Sequence, residues 1–500
     1  MRLSVDKIAR FSGAHLLNSA CDLEKEASGI TWDSREVEPG FVYVALPGER
    51  VDGHDFVESA CKSGAVAVLV MKDLPEEVIA CAEESATAIL RVSSTHEAFT
   101  QLANGYRGVL KGRVIGITGS TGKTTTKNLV RDVLSARFSC IATKANQNNE
   151  LGVPRTLLNA DPDTEIMGMR GSGQIEQLCS FVKPDWGLIT NVGESHIELL
   201  GSRENIACAK AELIASLPAE KGVAFLNAAD DMTDFVWECS EAQNSSILKV
   251  LFDGSKVATE SHKQSSVPCV WAEEVQLDCD GYPSFILCAS GFTRNKEGDA
   301  TSGINAASPS IDVDRMECKL SLRGIHNVSN ACSAAAVGYL AGMSLEEIVA
   351  ALEASMPEGG RQEILHSDQG FTVINDAYNA NPDSMRASLS LLKAMRVEGR
   401  RFAVLGDMGE LGSFAPAAHE SVGRFAARAN IDFLICVGEL ARLIGQAAQS
   451  AGFAPERIHV VDTREEALAF LREHIAPGDT LLLKASHFME LDRIAKELLS

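Results

Sequence analysis

The chain has 500 residues, of which 45% are apolar and 23% are charged, so it can bury a sizeable core and wholesale disorder is excluded. Its formal charge of −22 excludes a broad basic surface for nucleic acid, and no apolar run reaches the roughly 18 residues that a membrane-spanning helix needs. We therefore expect no nucleic-acid partner and no integral membrane segment.

Thirteen cysteines are scattered along the chain without CxxC pairs, and the first residues lack the apolar core of a signal peptide. This pattern is typical of a cytoplasmic protein whose thiols are reduced. At roughly 150 residues per domain, the length predicts about three domains.

Residues 1–108 form the first predicted unit. Short β-rich runs at 41–46 and 65–70 alternate with helix-like spacers, and Pro39-Gly40 and Pro47-Gly48 mark turns between them. The unit is therefore predicted to be an α/β domain.

Residues 109–350 form the second predicted unit. A short buried strand at 114–118 runs into glycines and then into a helix, and later strand signals at 186–192 and 222–227 alternate with helical stretches. Such alternation predicts a doubly wound parallel sheet. Residues 290–310, rich in Ser, Gly, Asn and Thr, are predicted to be a flexible surface loop within an insertion of antiparallel strands.

A glycine-rich turn joins the first strand of this second unit to its helix. The run Gly-Ile-Thr-Gly-Ser-Thr-Gly-Lys-Thr-Thr-Thr at 116–126 offers backbone N–H groups to phosphates, with Lys123 reaching the β- and γ-phosphates of ATP and Thr124 ligating Mg²⁺. The strict P-loop pattern has glycine where this chain has Ile117, so the spacing is a variant, and the alternative is an ordinary strand-to-helix turn. The residues predicted to bind ATP here are Gly119, Ser120, Thr121, Gly122, Lys123, Thr124 and Thr125.

Three further polar features follow in the second unit, and each has a plainer alternative. The run Asn-Gln-Asn-Asn at 146–149 is either part of a binding site or a simple polar loop. His196 lies beyond the C-terminal end of a predicted strand, where parallel sheets bind ligands, although a lone histidine there is more often structural. Lys210 lies on an amphipathic helix, where a solvated lysine is the alternative.

Residues 351–500 form the third predicted unit, a second α/β sheet of Rossmann-like, nucleotide-binding type. Polar loops at 375–385 and 405–412 follow two of its strands. Taken singly, each loop is explained by turn chemistry and helix capping, but their placement at successive strand ends favours a common pocket. The predicted strands are 371–374, 402–405, 433–437 and 480–483.

In this order and spacing the segments resemble the Mur ligase family of ATP-dependent amide-bond-forming enzymes, over nearly the whole chain. The first unit is similar to the family's UDP-sugar-binding domain through the runs 33–35, 48–50 and 52–56. The second resembles its ATPase domain, closed by the run 324–330. The Asp-Ala-Tyr-Asn-Ala-Asn-Pro-Asp-Ser-Met run and the Gly-Asp-Met-Gly-Glu-Leu-Gly run of the third unit are typical of the D-alanyl-D-alanine-adding branch.

The resemblance implies a reaction, its cofactors and a set of site residues. The implied reaction joins D-alanyl-D-alanine to UDP-N-acetylmuramoyl-tripeptide through an acyl phosphate, with ATP and Mg²⁺, in a cytoplasmic monomer that supplies peptidoglycan precursors. Lys123, His196 and Lys210 are the implied catalytic residues, with Lys210 carbamylated so that it becomes a metal ligand. The remaining implied contacts are Asn330, Arg361 and Asp376 for ATP, Ser34, Arg35, Asp52 and His54 for the UDP-substrate, Tyr378, Asn379, Asn381 and Ser384 for D-alanyl-D-alanine, and Thr124 and His196 for metal.

One segment departs from the family pattern. The family has a buried strand that ends in a metal-binding glutamate before a Met-Gly-Met-like turn, whereas here Ile166 precedes Met167 and the segment 158–168 lacks both the apolar run and that glutamate. Glu165 is a doubtful substitute as metal ligand. We therefore expect a missing interior strand, a strained central domain and weak ligation.

The departure sustains one alternative function, a catalytically impaired binder of nucleotide and UDP-sugar. A second alternative is an enzyme similar to folylpolyglutamate synthetases. The runs 33–35 and 52–54 weigh against that second alternative, because the folylpolyglutamate synthetase family lacks the UDP-binding domain.

Overall fold

The structure is a computed structural model that describes residues 1–19, 21–48, 51–143, 151–161, 164, 166–170, 175–195, 197–255, 267–292, 313–357 and 362–500. Three β-sheets of five, nine and six strands follow one another along the chain, each with helices packed against it, as the predicted α/β class requires. Within these residues, no helix combines the length and apolarity needed to cross a membrane.

The first sheet has the strand order β2-β7-β6-β5-β4, with β4 to β7 parallel and β2 antiparallel at one edge. Residues Ala67–Val70 are buried along their whole length, as expected of a parallel strand covered on both faces. The strands of this sheet are β2 (His15–Leu16), β4 (Gly29–Thr31), β5 (Phe41–Val44), β6 (Ala67–Val70) and β7 (Ala88–Arg91), whereas β1 (Leu3–Ser4) and β3 (Glu26–Ala27) form a separate antiparallel pair. The helices are α1 (Val5–Ser12), α2 (Val57–Lys62), α3 (Glu76–Glu84) and α4 (Thr95–Arg107).

The second sheet has the order β16-β15-β14-β13-β12-β11-β8-β10-β9. The seven neighbouring strands from β14 to β9 in this order are parallel, and β15 is antiparallel to both of its neighbours, β14 and β16. The predicted flexible loop at 290–310 lies almost entirely outside the described residues. The strands are β8 (Arg113–Thr118), β9 (Cys140–Ala142), β10 (Ile166–Arg170), β11 (Trp186–Ile189), β12 (Val223–Asn227), β13 (Leu248–Asp253), β14 (Cys269–Leu277), β15 (Pro283–Ser290) and β16 (Asp314–Lys319).

Eight helices are described in this second unit. The turn from β8 into α5 is the P-loop region, and α12 begins with a capping box in which Ser344 and Glu347 bond reciprocally. The helices are α5 (Lys123–Ser135), α6 (Gly152–Leu158), α7 (Ile175–Val182), α8 (Ile197–Leu200), α9 (Arg203–Ala215), α10 (Thr233–Cys239), α11 (His326–Leu340) and α12 (Leu345–Ala354).

The expectation of a missing interior strand is wrong. Residues Ile166–Arg170 form β10, which lies between β8 and β9 and pairs parallel with both, with Gly168 opposite Ile115 on one side and Ala142 on the other. Three of the five residues of this strand, Ile166, Met167 and Met169, are apolar, and its backbone N–H and C=O groups supply the ladder on both sides. The stretch expected to form a turn after the strand forms the strand itself. The impaired-binder alternative therefore loses the missing strand as its support.

The third sheet has the order β17-β18-β22-β19-β20-β21, with β18 to β21 parallel and β17 antiparallel at the edge. The neighbours β18, β22 and β19 place the residues that follow them at one edge of the sheet. The strands are β17 (Glu363–His366), β18 (Thr372–Asn375), β19 (Arg401–Gly406), β20 (Phe433–Val437), β21 (Ile458–Val461) and β22 (Thr480–Lys484), and the helices are α13 (Pro382–Ala394), α14 (Ala415–Ala426), α15 (Ala441–Ser450), α16 (Arg464–His474) and α17 (Asp492–Leu499).

The apolar cores run across the units. Leu157 and Phe181, from α6 and α7, are buried in one cluster with Leu102 of α4. Ile206 of α9 is buried in another cluster with Met385 of α13. The second unit is therefore packed against both of its neighbours, and the nucleotide-binding turn of β8 faces the third unit.

Candidate functional site

The P-loop turn depends on two glycines in backbone conformations that side chains disfavour. Gly119 has φ +145° and Gly122 has φ +76°. A Cβ at Gly119 would lie 1.9 Å from Thr190 Oγ1, and a Cβ at Gly122 would lie 2.6 Å from Asn330 Oδ1. Glycine at these two positions therefore lets the P-loop backbone lie close to Thr190 and Asn330.

The loop after β11 holds the P-loop in place. The Thr121 N–H donates to Asn191 Oδ1 at 2.9 Å, and the Thr190 hydroxyl donates to the Thr121 carbonyl at 2.6 Å. The Gly193 N–H donates to Ser120 Oγ at 2.8 Å. Because β8 and β11 are adjacent parallel strands, the two loops meet at the carboxyl edge of the sheet, where ligands bind in such folds.

Lys123 and Thr124 open helix α5. The Lys123 ammonium donates to the carbonyls of Gly119 at 2.5 Å and Ser120 at 3.1 Å, so it lies across the loop. Thr124 is 2% exposed and borders the cavity described next. A cation and a hydroxyl are thus held at a helix N-terminus, the arrangement that binds phosphate.

A cavity of about 350 Å³ opens between the P-loop, the start of α11 and the third unit. Six of the predicted ATP contacts line it, although they come from distant parts of the chain: Thr121, Gly122, Thr124, Thr125, Asn330 and Asp376. Asp383 and Ser384 of α13 also border it. Most of the described residues predicted to bind the nucleotide therefore line one cavity, and Gly119, Ser120 and Lys123 of the adjoining loop do not.

Asn330 is fixed on α11 by two hydrogen bonds. Its Nδ2 donates to Asn327 Oδ1 at 2.8 Å, and its Oδ1 accepts from the Thr126 hydroxyl at 3.1 Å. The amide is 7% exposed, so it presents a set orientation to the cavity.

Asp376 forms a buried ion pair with Lys484. The two lie at the carboxyl ends of the adjacent strands β18 and β22, and Lys484 Nζ is 2.8 Å from Asp376 Oδ2. Asp376 also accepts from the Ser388 hydroxyl at 2.5 Å and from the Gln362 N–H at 3.2 Å. This network holds the carboxylate in one orientation at the cavity wall.

Lys210 is buried on α9, with 6% of its surface exposed. Burial lowers the pKa of its ammonium from 10.5 to about 8, and the negative charge of Asp230 opposes that shift. Burial raises the pKa of Asp230 in turn. The Asp230 carboxylate accepts from the Val192 N–H at 2.6 Å, so it connects the surroundings of Lys210 to the loop that holds the P-loop.

The loop after β18 and the first turn of α13 carry the four residues predicted to bind the dipeptide. The Tyr378 ring stacks on His487, with ring centroids 5.6 Å apart. The backbone carbonyl of the exposed Asn379 accepts a hydrogen bond from Lys484 Nζ at 2.8 Å. Asn381 caps α13, because its Oδ1 accepts from the Ser384 N–H at 2.8 Å, and its Nδ2 donates to Ser195 Oγ at 2.6 Å. Both ends of the Asn381 amide are thus engaged within the protein.

The first unit places Asp52 and His54 in one network. His54 Nε2 accepts from the Met71 N–H at 3.0 Å, so Nδ1 carries the proton and donates to Asp52 Oδ1 at 2.6 Å. Lys72 also donates to Asp52, and these two partners, Lys72 first, hold the pKa of Asp52 well below its usual range. Ser34 and the exposed Arg35 lie in the turn Ser34–Glu36, where the Asp33 carboxylate accepts from Arg35.

Several predicted residues fall outside the described part of the chain. These are His196, Glu165, Arg361, the amide run 146–149, and Glu49 and Arg50 of the UDP-related runs. Among the described residues, no group of three or more His, Cys, Asp or Glu side chains is gathered to hold a metal ion.

Sequence reasoning missed four residues of this site. Lys484 follows the apolar strand β22, and a cation at the carboxyl end of a predicted parallel strand was the available signal. His326 borders the cavity, and burial lowers the pKa of its imidazole to about 4, so the ring is neutral at pH 7. Asp383 lies in the predicted polar loop 375–385 but was given no role, and Ser195 gave no signal of its own, because both positions depend on how the second and third units pack.

Comparison with known proteins agrees with this architecture. Three domain families match the chain: "Mur ligase family, catalytic domain" over residues 26–107, "Mur ligase middle domain" over 117–338 and "Mur ligase, glutamate ligase domain" over 360–487. Among solved structures, crystal structure I of MurF from Acinetobacter baumannii has a TM-score of 0.79 at 27% identity and covers 100% of this chain and 99% of its own.

Curated relatives match at full length. The UDP-N-acetylmuramoyl-tripeptide–D-alanyl-D-alanine ligase of Bacillus subtilis (strain 168) is 32% identical over 475 residues, which is 94% of this chain and 93% of that protein. The protein of the same name from Mycobacterium tuberculosis (strain ATCC 25618 / H37Rv) is 35% identical over 507 residues, or 94% of this chain and 92% of that protein. The chain therefore belongs to the Mur ligase family of ATP-dependent, amide-bond-forming enzymes.

Proposed function

We propose that this protein joins D-alanyl-D-alanine to UDP-N-acetylmuramoyl-tripeptide at the expense of ATP, in cytoplasmic peptidoglycan precursor synthesis. The observation that carries the proposal is the cavity in which the P-loop of the second unit faces Asp376 and Ser384 of the third. Full-length relatives that bear the name of this activity support it.

The reaction has two steps. A carboxylate of the UDP-substrate attacks the γ-phosphorus of ATP, which gives an acyl phosphate and ADP, and the amine of the dipeptide then displaces phosphate to form the amide. The first step brings two anions together, so a fixed positive charge lowers its barrier. Lys123, at the N-terminus of α5, supplies that charge when it turns from the loop carbonyls to the γ-phosphate.

The other nucleotide contacts position ATP. Asn330 and Asp376 face the cavity from opposite units, and each is held by hydrogen bonds of its own. Side chains fixed in this way lose little freedom when a ligand binds, which favours a single bound geometry. Packing of the third unit over the second also keeps water from the acyl phosphate, which water would hydrolyse.

The residues present fit a magnesium ion. Mg²⁺ prefers oxygen ligands, and Thr124 offers a hydroxyl beside the phosphate site. We propose that Thr124, the nucleotide phosphates and a carbamylated Lys210 would hold the ion, with His196 as a further ligand. When bound, it would neutralise phosphate charge.

The surroundings of Lys210 support carbamylation. Carbamylation joins carbon dioxide to a neutral amine and releases a proton, so it requires an amine that loses its proton easily. Burial lowers the pKa of Lys210 to about 8, and no hydrogen-bond or ion-pair partner contacts its ammonium within the described residues. The product carries a carboxylate-like group in place of a cation.

We also propose which part of the chain binds each substrate, and the oligomeric state of the protein. Residues 1–108 bind the UDP part through Ser34, Arg35 and the Asp52–His54 pair, 109–350 bind ATP, and 351–500 bind the dipeptide around Tyr378 and Asn379. The proposed oligomeric state is a monomer.

A coupled assay tests the proposal. Full-length protein is mixed with ATP, Mg²⁺, UDP-N-acetylmuramoyl-tripeptide and D-alanyl-D-alanine, and phosphate release and product mass are measured together. We expect equal amounts of phosphate and UDP-linked pentapeptide, and neither when the dipeptide is omitted. Neither phosphate nor product from the complete mixture would support the impaired-binder alternative. Addition of glutamate to a folate, in a parallel mixture that contains these two substrates, would support the folylpolyglutamate alternative.

A further inference from the structure

Two cysteines face each other between helices α9 and α10. The sulfur atoms of Cys208 and Cys239 are 2.6 Å apart, although 31 positions separate them in sequence. A disulfide bond has a length of about 2.05 Å, so only a small displacement separates this contact from a bond. The helices that carry the two thiols pack directly against each other.

We propose that Cys208 and Cys239 are a modification site that closes into a reversible intramolecular disulfide when the protein meets a peroxide. The site is separate from the nucleotide cavity, since neither cysteine borders it. It also does not depend on the proposed reaction.

Exposure selects this pair among the thirteen cysteines. Only Cys208 and Cys279 are exposed, and Cys239 is half-buried beside Cys208. Burial raises the pKa of Cys269 to about 12, and burial together with the neighbouring Cys208 raises the pKa of Cys239 to about 11, so the exposed Cys208 is the thiol of the pair that an oxidant reaches first. Cys208 is therefore accessible to an oxidant and lies beside a second thiol. Cys279 shares the exposure of Cys208 but not its contact with Cys239.

The chemistry needs no other group of the protein. Peroxide oxidises the Cys208 thiol to a sulfenic acid and leaves as water. The Cys239 sulfur then attacks the Cys208 sulfur, an S–S bond forms, and the sulfenic oxygen leaves as a second water. The two thiols lose two hydrogen atoms in all, the peroxide is reduced to two waters, and a dithiol reductant reverses the change.

The bond would tie together two elements that border the Lys210 region. Cys208 lies two positions before Lys210 on α9, so the two side chains point to different sides of the helix, one to the surface and one inward. Arg203 of α9 already donates to Asp231, just before α10, at 2.9 Å. A disulfide adds a covalent tie at the other end of the same helix pair.

Peptide mapping of the intact protein tests the site. Reduced protein is treated with hydrogen peroxide at a dose that oxidises the exposed Cys279, free thiols are alkylated, and digested peptides are identified by mass. We expect a cross-linked peptide joining Cys208 and Cys239 that disappears after reduction, and slower backbone hydrogen exchange in α10 of the oxidised protein. Cys208→Ser and Cys239→Ser should each lose the cross-link, and Cys279→Ser should keep it.

Two results would overturn the proposal. One is that Cys208 and Cys239 both remain alkylated as free thiols at the dose that oxidises Cys279. The other is that the cross-link persists in Cys208→Ser, which would assign it to different cysteines.

Discussion

The Asn381 amide donates a hydrogen bond to the Ser195 hydroxyl at 2.6 Å, although 186 positions separate the two residues. The Ser195 hydroxyl in turn donates to the Ser120 carbonyl in the P-loop at 3.2 Å. Both Asn381 and Ser195 are at most 9% exposed. The first turn of α13 is thus bonded to the phosphate-binding loop through one serine, so the position of the third unit and the shape of that loop are linked.

Removal of this serine hydroxyl should weaken ligation without preventing nucleotide binding. Ser195→Ala deletes both hydrogen bonds and leaves the buried Asn381 amide without its acceptor, which costs about 1–3 kcal/mol. We expect kcat for ligation to fall by about tenfold or more, and the Kd for ATP to change by less than about threefold. Ser450→Ala, which removes a hydroxyl bonded within an exposed helix turn, is the control. Equal kcat for the two variants would show that the contact of Ser195 with Asn381 has no role in ligation.

The P-loop lysine should be required for chemistry but not for the UDP-substrate. Lys123→Ala removes the cation at the N-terminus of α5, and we expect ATP-dependent ligation to be abolished. Calorimetry should show UDP-substrate binding largely intact, because that substrate is assigned to a different unit. Exposed Lys111→Ala is the charge-matched control. A loss of UDP-substrate affinity by more than about tenfold in Lys123→Ala would contradict the division of sites.

The free energy of unfolding should depend on pH through the ionisation of Lys210. Its pKa is lower in the folded protein, about 8, than the ordinary 10.5, so the unfolded chain holds the proton more tightly between these values. The free energy of unfolding should therefore gain a contribution from Lys210 as pH rises from about 8 to 10.5, and the cost of burying the charge is fully present below pH 8. Lys210→Met should lose this dependence in denaturant titrations. An unchanged pH profile in Lys210→Met would contradict the shifted pKa.

The same amine should take up labelled carbon dioxide. At constant ¹³C-bicarbonate, the carbamate signal should grow as pH rises toward 8, because the neutral amine is the reactive form. Lys210→Ala should lose the signal and nearly all activity, and a short carboxylate in the buffer should restore part of the activity. Exposed Lys221→Ala is the control. Full activity of Lys210→Ala would remove the carbamate from the mechanism.

The buried pair of Asp376 and Lys484 should matter for stability and for nucleotide affinity. Lys484→Met leaves the carboxylate of Asp376 without its cation, and removal of one partner of a buried pair costs about 3–5 kcal/mol. We expect a lower free energy of unfolding in urea and weaker ATP binding. Lys496→Met breaks an exposed pair with Asp492 and should change stability by less than about 1 kcal/mol. Equal stability of the two variants would contradict the burial of the Asp376 pair.

The sequence predicted those parts of the protein whose signals are local. The glycines at 119 and 122 and the lysine at 123 reveal the P-loop because the turn, the helix N-terminus and the cation are consecutive. Alternation of strands and helices predicted the three sheets. The pairs Asp376–Lys484 and Asn381–Ser195 gave no such signal, since each joins strand ends or loops that only the packing of the units brings together.

Strand β10 shows the opposite error, in which a pattern was read too strictly. The segment 158–168 was expected to lack the strand, and Met167-Gly168-Met169 was assigned to the turn that follows it, although Ile166, Met167 and Met169 are themselves apolar. Two neighbouring strands with free backbone partners impose a strand on this segment. Substitution of Gly168 by proline, which removes a ladder N–H, should lower the melting temperature by several degrees; an unchanged melting temperature would contradict β10.

The contact of helix α4 with α6 and α7 has a consequence for how the chain can be divided. The Tyr106 hydroxyl donates to the Ala160 carbonyl at 2.7 Å, Arg107 Nε donates to the Val182 carbonyl at 3.0 Å, and Leu157 is fully buried in the shared core. Cleavage near residue 110 would expose to water, on each fragment, the apolar surface that packs against the other fragment in the intact chain. The two fragments, produced separately, should therefore reassociate on mixing as the halves of a split protein do, and the first unit does not behave as a detachable module.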